Sequence, residues 1–409
     1  MKYVVIGASA AGINAAGLLR RFDPEGEITV VARDDKVYSR CMLHLKLAGE
    51  RDAAGLSFVD ADFFAANRVV FRGGENVTGI LAGDKAVRLE SGESIPYDRL
   101  LIASGASSFI PPVPGLREAK NVVSLRNMED VEKLEAWGRP GSRAVIIGAG
   151  LVGMDAAAGL IEKGVKATLV EMLDRILAIQ LDDYAASRYA GLLRDHGAEV
   201  IVGAKVGAGR VGPDGALASL ELADGRALPC DFCVVAAGVA PNIGFIGDER
   251  IQLTRNKRAL AVDRTCRTSR PDVFAAGDVT FLAPIWPEAV RQAEVAAANM
   301  CGREASLPDQ DWAWTNSMNF FGLPTISYGQ TSVADPSFAL ETYIDGDVYK
   351  KVIHKDGVIH GAIFQGDIDN CGVYLRLVRD RIPFAGAGKH PLKLNYADFF
   401  RQAANGEFV

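Results

Sequence analysis

The chain has 409 residues, enough for roughly two to three domains of ordinary size. Hydrophobic residues make up 49% and charged residues 23%, a globular balance that excludes a disordered or collagen-like chain. The formal charge of −6, spread along the chain, runs against nucleic-acid binding, which favours a basic stripe.

The N-terminus, Met1-Lys2, gives way to the apolar Val4-Val5-Ile6 and then to Gly7, Gly12 and Gly17. That order predicts a strand, a glycine turn and a helix of small residues rather than a secretion signal. The turn Gly7-Ala8-Ser9-Ala10-Ala11-Gly12 returns, 141 positions later, as Gly148-Ala149-Gly150-Leu151-Val152-Gly153. Each copy leads through a helix rich in Ala, Gly and Leu to a second strand, expected at 28–31 and 167–170. A βαβ unit therefore occurs twice.

In the second copy, Gly148 permits the tight turn, Gly150 lets the backbone reach a pyrophosphate, and Gly153 lets helix and strand approach. The helix N-terminus adds free N–H groups and a partial positive charge. Glu171 ends the next strand, where a carboxylate accepts hydrogen bonds from an adenosine ribose and repels a 2′-phosphate. In the first copy Ser9 replaces the middle glycine, and Asp34 is the acid expected at the ribose.

Between the copies, a turn-rich stretch at 91–96 leads into a strand and then Ala103-Ser104-Gly105-Ala106, followed by a proline linker at 111–115. A near-copy follows the second unit, ending in Ala236-Ala237-Gly238-Val239-Ala240-Pro241-Asn242. Phe274-Ala275-Ala276-Gly277-Asp278 comes next, and then Pro287-Glu288-Ala289, where proline suits the first turn of a helix. From about residue 311 aromatic and β-branched residues alternate with polar ones, which predicts strands at 326–328, 339–343, 348–353 and 358–364. Turns at Asp345-Gly346 and Asp356-Gly357 join the last three as hairpins, and 374–378 reads as helix.

No apolar run reaches about 18 residues, so no membrane span is expected. The six cysteines follow no disulfide-framework spacing, which points to a reducing, cytoplasmic setting. Cys230 and Cys233 form a CxxC without a second pair, so packing is the expected role, and no metal is expected. The basic run Arg255, Lys257, Arg258, Arg264, Arg267 and Arg270 reads as a solvated face or as a dock for an acidic electron-transfer protein.

These motifs, in this order, resemble the FAD-dependent pyridine nucleotide-disulfide oxidoreductases. The branch they are most similar to holds the rubredoxin and ferredoxin reductases and the amino-terminal part of the nitrite reductase large subunit. The resemblance covers nearly the whole chain. It implies an α/β fold of two doubly wound dinucleotide-binding domains, one inserted in the other, plus a small α/β C-terminal domain. The boundaries it implies are 1–113 with 243–308 for FAD, 114–242 for NAD, and 309–409 for the C-terminal domain.

The resemblance also implies roles. Gly7, Ser9, Gly12, Asp34, Arg40, Ala103, Ser104, Gly105, Gly277, Asp278, Pro287, Glu288 and Ala289 would serve FAD. Gly148, Gly150, Gly153, Asp155, Glu171 and Gly238 would serve NAD, with Asp155 standing where the family usually has Glu. The activity implied is hydride exchange between NAD(H) and FAD, with electrons passed to or from an Fe–S, rubredoxin or ferredoxin partner. The chain would then act alone or as the flavin subunit of a larger complex such as an aldehyde or 2-oxoacid oxidoreductase, as a homodimer or a hetero-oligomer.

The alternative rests on Cys41. The electron-transfer reductases carry proline after the arginine that matches Arg40. In coenzyme A disulfide reductases and NADH peroxidases a redox cysteine falls nearly there. A thiolate at a helix N-terminus beside Arg40 has a lowered pKa. On that reading the chain is a stand-alone NADH oxidase, peroxidase or disulfide reductase, although Met42 stands where that group has glycine. A third reading is a non-enzymatic flavoprotein acting as an assembly subunit.

Overall fold

The computed structural model describes residues 1–247, 250–308 and 314–399. In chain order the elements that build the site begin with β1 (Lys2–Ile6), α1 (Ala10–Phe22), β2 (Glu27–Ala32), α2 (Leu43–Ala48), β3 (Val69–Gly73), β4 (Arg99–Ile102) and β5 (Ala106–Ser108). Then come β6 (Val122–Val123), β7 (Arg143–Ile147), α3 (Leu151–Glu162), β8 (Lys166–Val170), α4 (Asp183–Asp195), β9 (Glu199–Ile201) and β10 (Phe232–Val235). The chain continues with β11 (Val239–Pro241), β12 (Val273–Ala275), α5 (Trp286–Met300), β13 (Thr315–Phe320), β14 (Leu323–Gly329), β15 (Ala339–Asp345), β16 (Val348–Lys355), β17 (Val358–Gln365) and α6 (Gly372–Arg379).

The chain divides into two units, each with its own interior. The first comprises Met1–Phe109, Ser124–Lys133 and Ala237–Asp309. Its sheet runs β12-β4-β1-β2-β3, with every neighbour parallel. Parallel strands covered on both faces must be apolar along their length, and β1 is buried from Tyr3 to Ile6. A three-stranded antiparallel meander, Val77–Leu81, Ala86–Leu89 and Ser94–Pro96, lies between β3 and β4. It packs Ile80, Val87 and Leu89 against Val4, Val31, Leu100 and Val273. The sequence reading took its last strand for turn, because three short strands alternate too briefly to show a period.

The second unit comprises Ile110–Val123, Leu134–Ala236 and Gln310–Val409. Its parallel sheet runs β9-β8-β7-β10-β6, the same arrangement around β7 as around β1. A second meander, Val206–Val211, Leu217–Leu222 and Ala227–Pro229, lies between β9 and β10. The duplication read from the glycine loops therefore extends to the strand order and the meander. It fails at one edge: β12 is supplied from downstream of its sheet, whereas β6 is supplied from upstream.

The same unit holds an antiparallel sheet of order β13-β14-β17-β16-β15. One face carries α6, whose Val373, Tyr374 and Leu377 pack with Val352, Ala362 and Phe364. The other face is pinned to α4 by polar contacts. The Tyr189 hydroxyl donates to the Leu323 carbonyl at 2.6 Å, and Asp182, the N-cap of α4, accepts from the Tyr349 hydroxyl at 2.6 Å and Lys351 Nζ at 2.8 Å. The expected hairpins are present. The first has Gly346 and Asp347 as its loop, one position later than read, because Asp345 still pairs with Val348.

Candidate functional site

The glycine loops are dictated by steric exclusion. Gly7 has a φ of +109°, and a Cβ there would lie 2.1 Å from the Ala103 carbonyl oxygen. A Cβ on Gly12 would lie 1.8 Å from the Gly7 oxygen, and one on Gly153 would lie 2.0 Å from the Gly148 oxygen. In both copies the last glycine is what brings the helix onto its strand. At Gly150, by contrast, an added Cβ meets nothing within 4 Å, so the backbone there faces open space.

Neither loop closes its helix with a side chain. Ser9 and Gly150 are the N-caps of α1 and α3, and neither makes a side-chain capping bond. The contrast within the molecule is α4, where Asp182 accepts from the Ala185 N–H. The first N–H groups of a helix have no partner inside it. At α1 and α3 they are left for an anion, which the dipole also favours. The residues present thus fit two dinucleotide pyrophosphates.

Around the first loop the structure gathers residues far apart in sequence. Asp34 accepts from Arg40 and from the Tyr38 hydroxyl. Arg40 also donates to the Arg126 carbonyl at 2.7 Å. Burial pushes the Tyr38 phenol above its ordinary value. Arg126 turns its own guanidinium to Asp278 at 2.5 Å and to the Ala106 carbonyl at 3.1 Å. Gln292 on α5 accepts from the Gly277 N–H at 2.9 Å and fixes the turn that carries Asp278. Gly277 leaves room for it: a Cβ would lie 3.2 Å from Ala11 Cβ and 3.6 Å from Ala289 Cβ. Sequence reading missed Arg126 and Gln292, since neither belongs to a spaced motif.

Pro287 stands in the first turn of α5, as expected, with Glu288 and Ala289 buried behind it. The segment Ala103-Ser104-Gly105 is tied to the second near-copy motif. Ser104 Oγ donates to the Asn242 carbonyl, the Asn242 side chain donates back to the Ser104 carbonyl, both at 2.9 Å, and β5 pairs antiparallel with β11. Gly238 enters that pairing through its carbonyl, which accepts from the Phe109 N–H.

At the second loop, the Glu171 carboxylate accepts from Ala149 N at 2.7 Å and Leu173 N at 2.9 Å. It braces the loop it was expected to serve. Asp155 lies in the second turn of α3, half-buried, and burial pushes its carboxyl up to about 8.

Cys41 differs from its expected setting. It is exposed and lies in a one-turn 3-10 helix, Arg40–Met42, ahead of α2, which has only six residues. Arg40 is engaged by Asp34. The helix N-terminus and the cation expected to lower the thiol pKa are thus a very short helix and an ion-paired side chain. Cys230 and Cys233 are core residues packed with Val145 and Val235. In the basic run, Arg264 bonds the Leu307 carbonyl, Arg267 lies over the Phe274 ring and Arg270 bonds the Ala82 carbonyl. Arg255, Lys257 and Arg258 are the exposed remainder on one turn. No described helix is long and apolar enough to cross a membrane.

Fold and loops together define a class: a protein with two Rossmann-type dinucleotide cradles. The family model for pyridine nucleotide-disulphide oxidoreductases matches residues 1–298, and the chain belongs to that family. It is therefore an FAD- and NAD(H)-using flavoprotein enzyme. It is 31% identical over 392 residues to the NADH-dependent phenylglyoxylate dehydrogenase subunit epsilon of Aromatoleum evansii, covering 93% of this chain and 92% of that one. It is also 31% identical over 336 residues to a probable ferredoxin reductase of Castellaniella defragrans, covering 78% and 80%. Among solved structures, a NAD-dependent persulfide reductase from A. fulgidus superposes with a TM-score of 0.83 at 27% identity, covering 95% of this chain and 79% of that one.

Proposed function

We propose that this chain is the NADH-linked flavin component of an electron-transfer system, exchanging electrons with an Fe–S, rubredoxin or ferredoxin-type partner or subunit in the cytoplasm. The observation that carries the reading is the pair of uncapped helix N-termini, each entered through a glycine loop whose last glycine has no room for a Cβ. The partner class is supported by similarity to a probable ferredoxin reductase and to a subunit of an NADH-dependent phenylglyoxylate dehydrogenase. The scattered spacing of the six cysteines, unlike that of a disulfide framework, is what supports the compartment.

On this reading FAD is held by 1–113 and 243–308, NAD(H) by 114–242, and 309–409 form the C-terminal domain. Gly7, Ser9 and Gly12 present the N-terminus of α1 to the FAD pyrophosphate. Asp34, anchored by Arg40, meets its ribose, and Asp278, anchored by Arg126, meets the ribityl chain. Ala103, Ser104 and Gly105 line the crossover, and the N-terminal turn of α5, which holds Pro287, Glu288 and Ala289, offers the positive end of the helix dipole to the flavin. Gly148, Gly150 and Gly153 receive the NAD pyrophosphate, Glu171 selects the unphosphorylated ribose, and Asp155 and Gly238 are further NAD-binding positions. When bound, FAD supplies the exchange between hydride transfer and single-electron release.

The test is anaerobic purification from the native source. Acid precipitation should release a yellow chromophore that NADH bleaches in the native protein, and an Fe–S protein should co-purify. A chromophore retained in the pellet, or a colourless protein, contradicts the reading.

A second reading, an NADH oxidase or disulfide reductase, is favoured by one observation: the Cys41 thiol is exposed. It is separated from the first by counting electrons, as set out in the Discussion.

A further inference from the structure

The second glycine loop is held from behind in a way that the first is not. Ala149, between Gly148 and Gly150, has both main-chain groups engaged. Its N–H donates to the Glu171 carboxylate at 2.7 Å, and its carbonyl accepts from the Leu177 N–H at 2.8 Å. Ala8 holds the same place in the first loop, between Gly7 and Ser9, and makes neither bond among the described residues.

Leu177 reaches Ala149 from a strained position. Its φ is +49°, in the left-handed region that a bulky side chain rarely adopts. Such a residue persists only where its surroundings hold it. Its side chain is buried, and its carbonyl accepts from the Gln180 and Leu181 N–H groups, each at 2.9 Å. Arg175 closes the turn. Its guanidinium donates to the Ala178 carbonyl at 3.2 Å and to the Leu181 carbonyl at 3.4 Å, and it pairs with Asp174 at 3.0 Å and Asp183 at 3.2 Å. The two carboxylates are 80% and 90% exposed, so those ion pairs contribute little. The bonds to the carbonyls are what fix the turn.

We infer that Arg175 is a positioning residue for NAD(H), a role that rests on the reading of the second loop as the NAD(H) cradle. It holds Leu177 in place, and Leu177 and Glu171 together hold the loop that presents the N-terminus of α3. A nicotinamide nucleotide arrives and leaves at every turnover, so its loop must keep its shape unaided. A loop set in advance loses less freedom at each binding event and binds more tightly. The clamp touches no reacting atom. It therefore contributes equally to ground-state and transition-state binding, and its loss raises KM without lowering kcat.

The test uses the full-length oxidised flavoprotein and ADP-ribose, which carries the pyrophosphate but no nicotinamide and so binds without reducing the flavin. Arg175→Ala should raise the ADP-ribose dissociation constant, read by titration calorimetry, and the KM for NADH in step, by about tenfold, while maximal flavin reduction stays within about twofold. Arg175→Lys, which reaches one carbonyl, should recover part of the affinity. Asp174→Asn combined with Asp183→Asn should bind as the parent does. Hydrogen exchange gives a reading that needs no ligand. The peptide spanning 172–181 should be protected in the parent and lose that protection in Arg175→Ala, with the peptide spanning 1–22 unchanged. Equal ADP-ribose affinity in the parent and Arg175→Ala overturns the inference and leaves the cradle reading standing. So does an equal loss of affinity in the double asparagine variant, or a fall in flavin content and maximal rate in step with affinity. A parent that binds no ADP-ribose overturns the cradle reading itself, and this inference with it.

Discussion

Arg126 donates to Asp278 across 2.5 Å, although 152 positions separate them in the chain. Both are about one-fifth exposed. The pair joins the segment carrying Arg126 to the turn after β12, within one unit, and Arg126 holds the Ala106 carbonyl as well. It thereby sets the position of the carboxylate proposed to meet the ribityl chain.

Arg126→Ala leaves Asp278 partly buried without its cation. Between the small value of exposed pairs and the large cost of breaking buried ones, about 2 kcal/mol of stability should be lost. Flavin retention should fall with it. Denaturant midpoints and the flavin-to-protein absorbance ratio check this. Unchanged flavin content would remove Arg126 from the site.

Glu171 has two roles that a single substitution can separate. Two like charges about 4 Å apart repel by about 4 kcal/mol at an effective dielectric near 20, so even a screened remnant discriminates against a 2′-phosphate. Glu171→Gln removes the charge and keeps one acceptor oxygen, so one of the two bonds from the Ala149 and Leu173 N–H groups is retained. Stopped-flow flavin reduction should show the preference for NADH over NADPH narrowing by about tenfold or more, the equivalent of about 1.4 kcal/mol. Equal handling of both nucleotides by the parent protein would show that Glu171 does not select.

Much of this site was legible in sequence, and the physical reason is local. Gly12 and Gly153 are forced by backbone contacts within one βαβ unit and Gly148 by its positive φ, so their spacing survives as a motif, whereas Gly7 is also pressed by the distant Ala103 carbonyl. Glu171 and Pro287 follow from strand and helix ends that periodicity locates, whereas Asp278 is singled out only by the family resemblance. Arg126 and Gln292 were invisible, because each acts through a contact made only after distant segments meet. Cys41 was legible as an oddity but not in its setting, since a 3-10 turn and a helix share nearly the same local pattern.

Lys351 and Asp182 tie β16 to the start of α4, both about nine-tenths buried. Lys351→Met leaves the Asp182 carboxylate buried with only the Tyr349 hydroxyl and the Ala185 N–H. Loss of one member of a buried pair costs about 3 kcal/mol or more. The double change with Asp182→Asn, which keeps a capping side chain, should recover part of that loss in urea midpoints. No recovery would mean that packing around Lys351, rather than its charge, holds the two elements.

Asp155 makes stability depend on pH. Its carboxyl is pushed from 3.8 up to about 8 by burial. The folded state then holds a proton that the unfolded state releases, so the contribution is present in full below the unfolded value and is lost as pH rises through about 8. Asp155→Asn should therefore gain stability relative to the parent between pH 5 and 8. A gain of about 1–2 kcal/mol is expected, below the full shift because the side chain is only half-buried. Parallel pH profiles for the two proteins would contradict this.

The central claim is that flavin alone carries the electrons between NAD(H) and the partner. An anaerobic titration of the purified flavoprotein with NADH tests it most directly, by counting equivalents to complete bleaching in the parent and in Cys41→Ala. The account predicts bleaching complete at about two electrons per flavin, the capacity of one two-electron couple, in both proteins. A lag of about two electrons before bleaching, for about four in all, that disappears in Cys41→Ala would contradict it and make Cys41 a second redox centre.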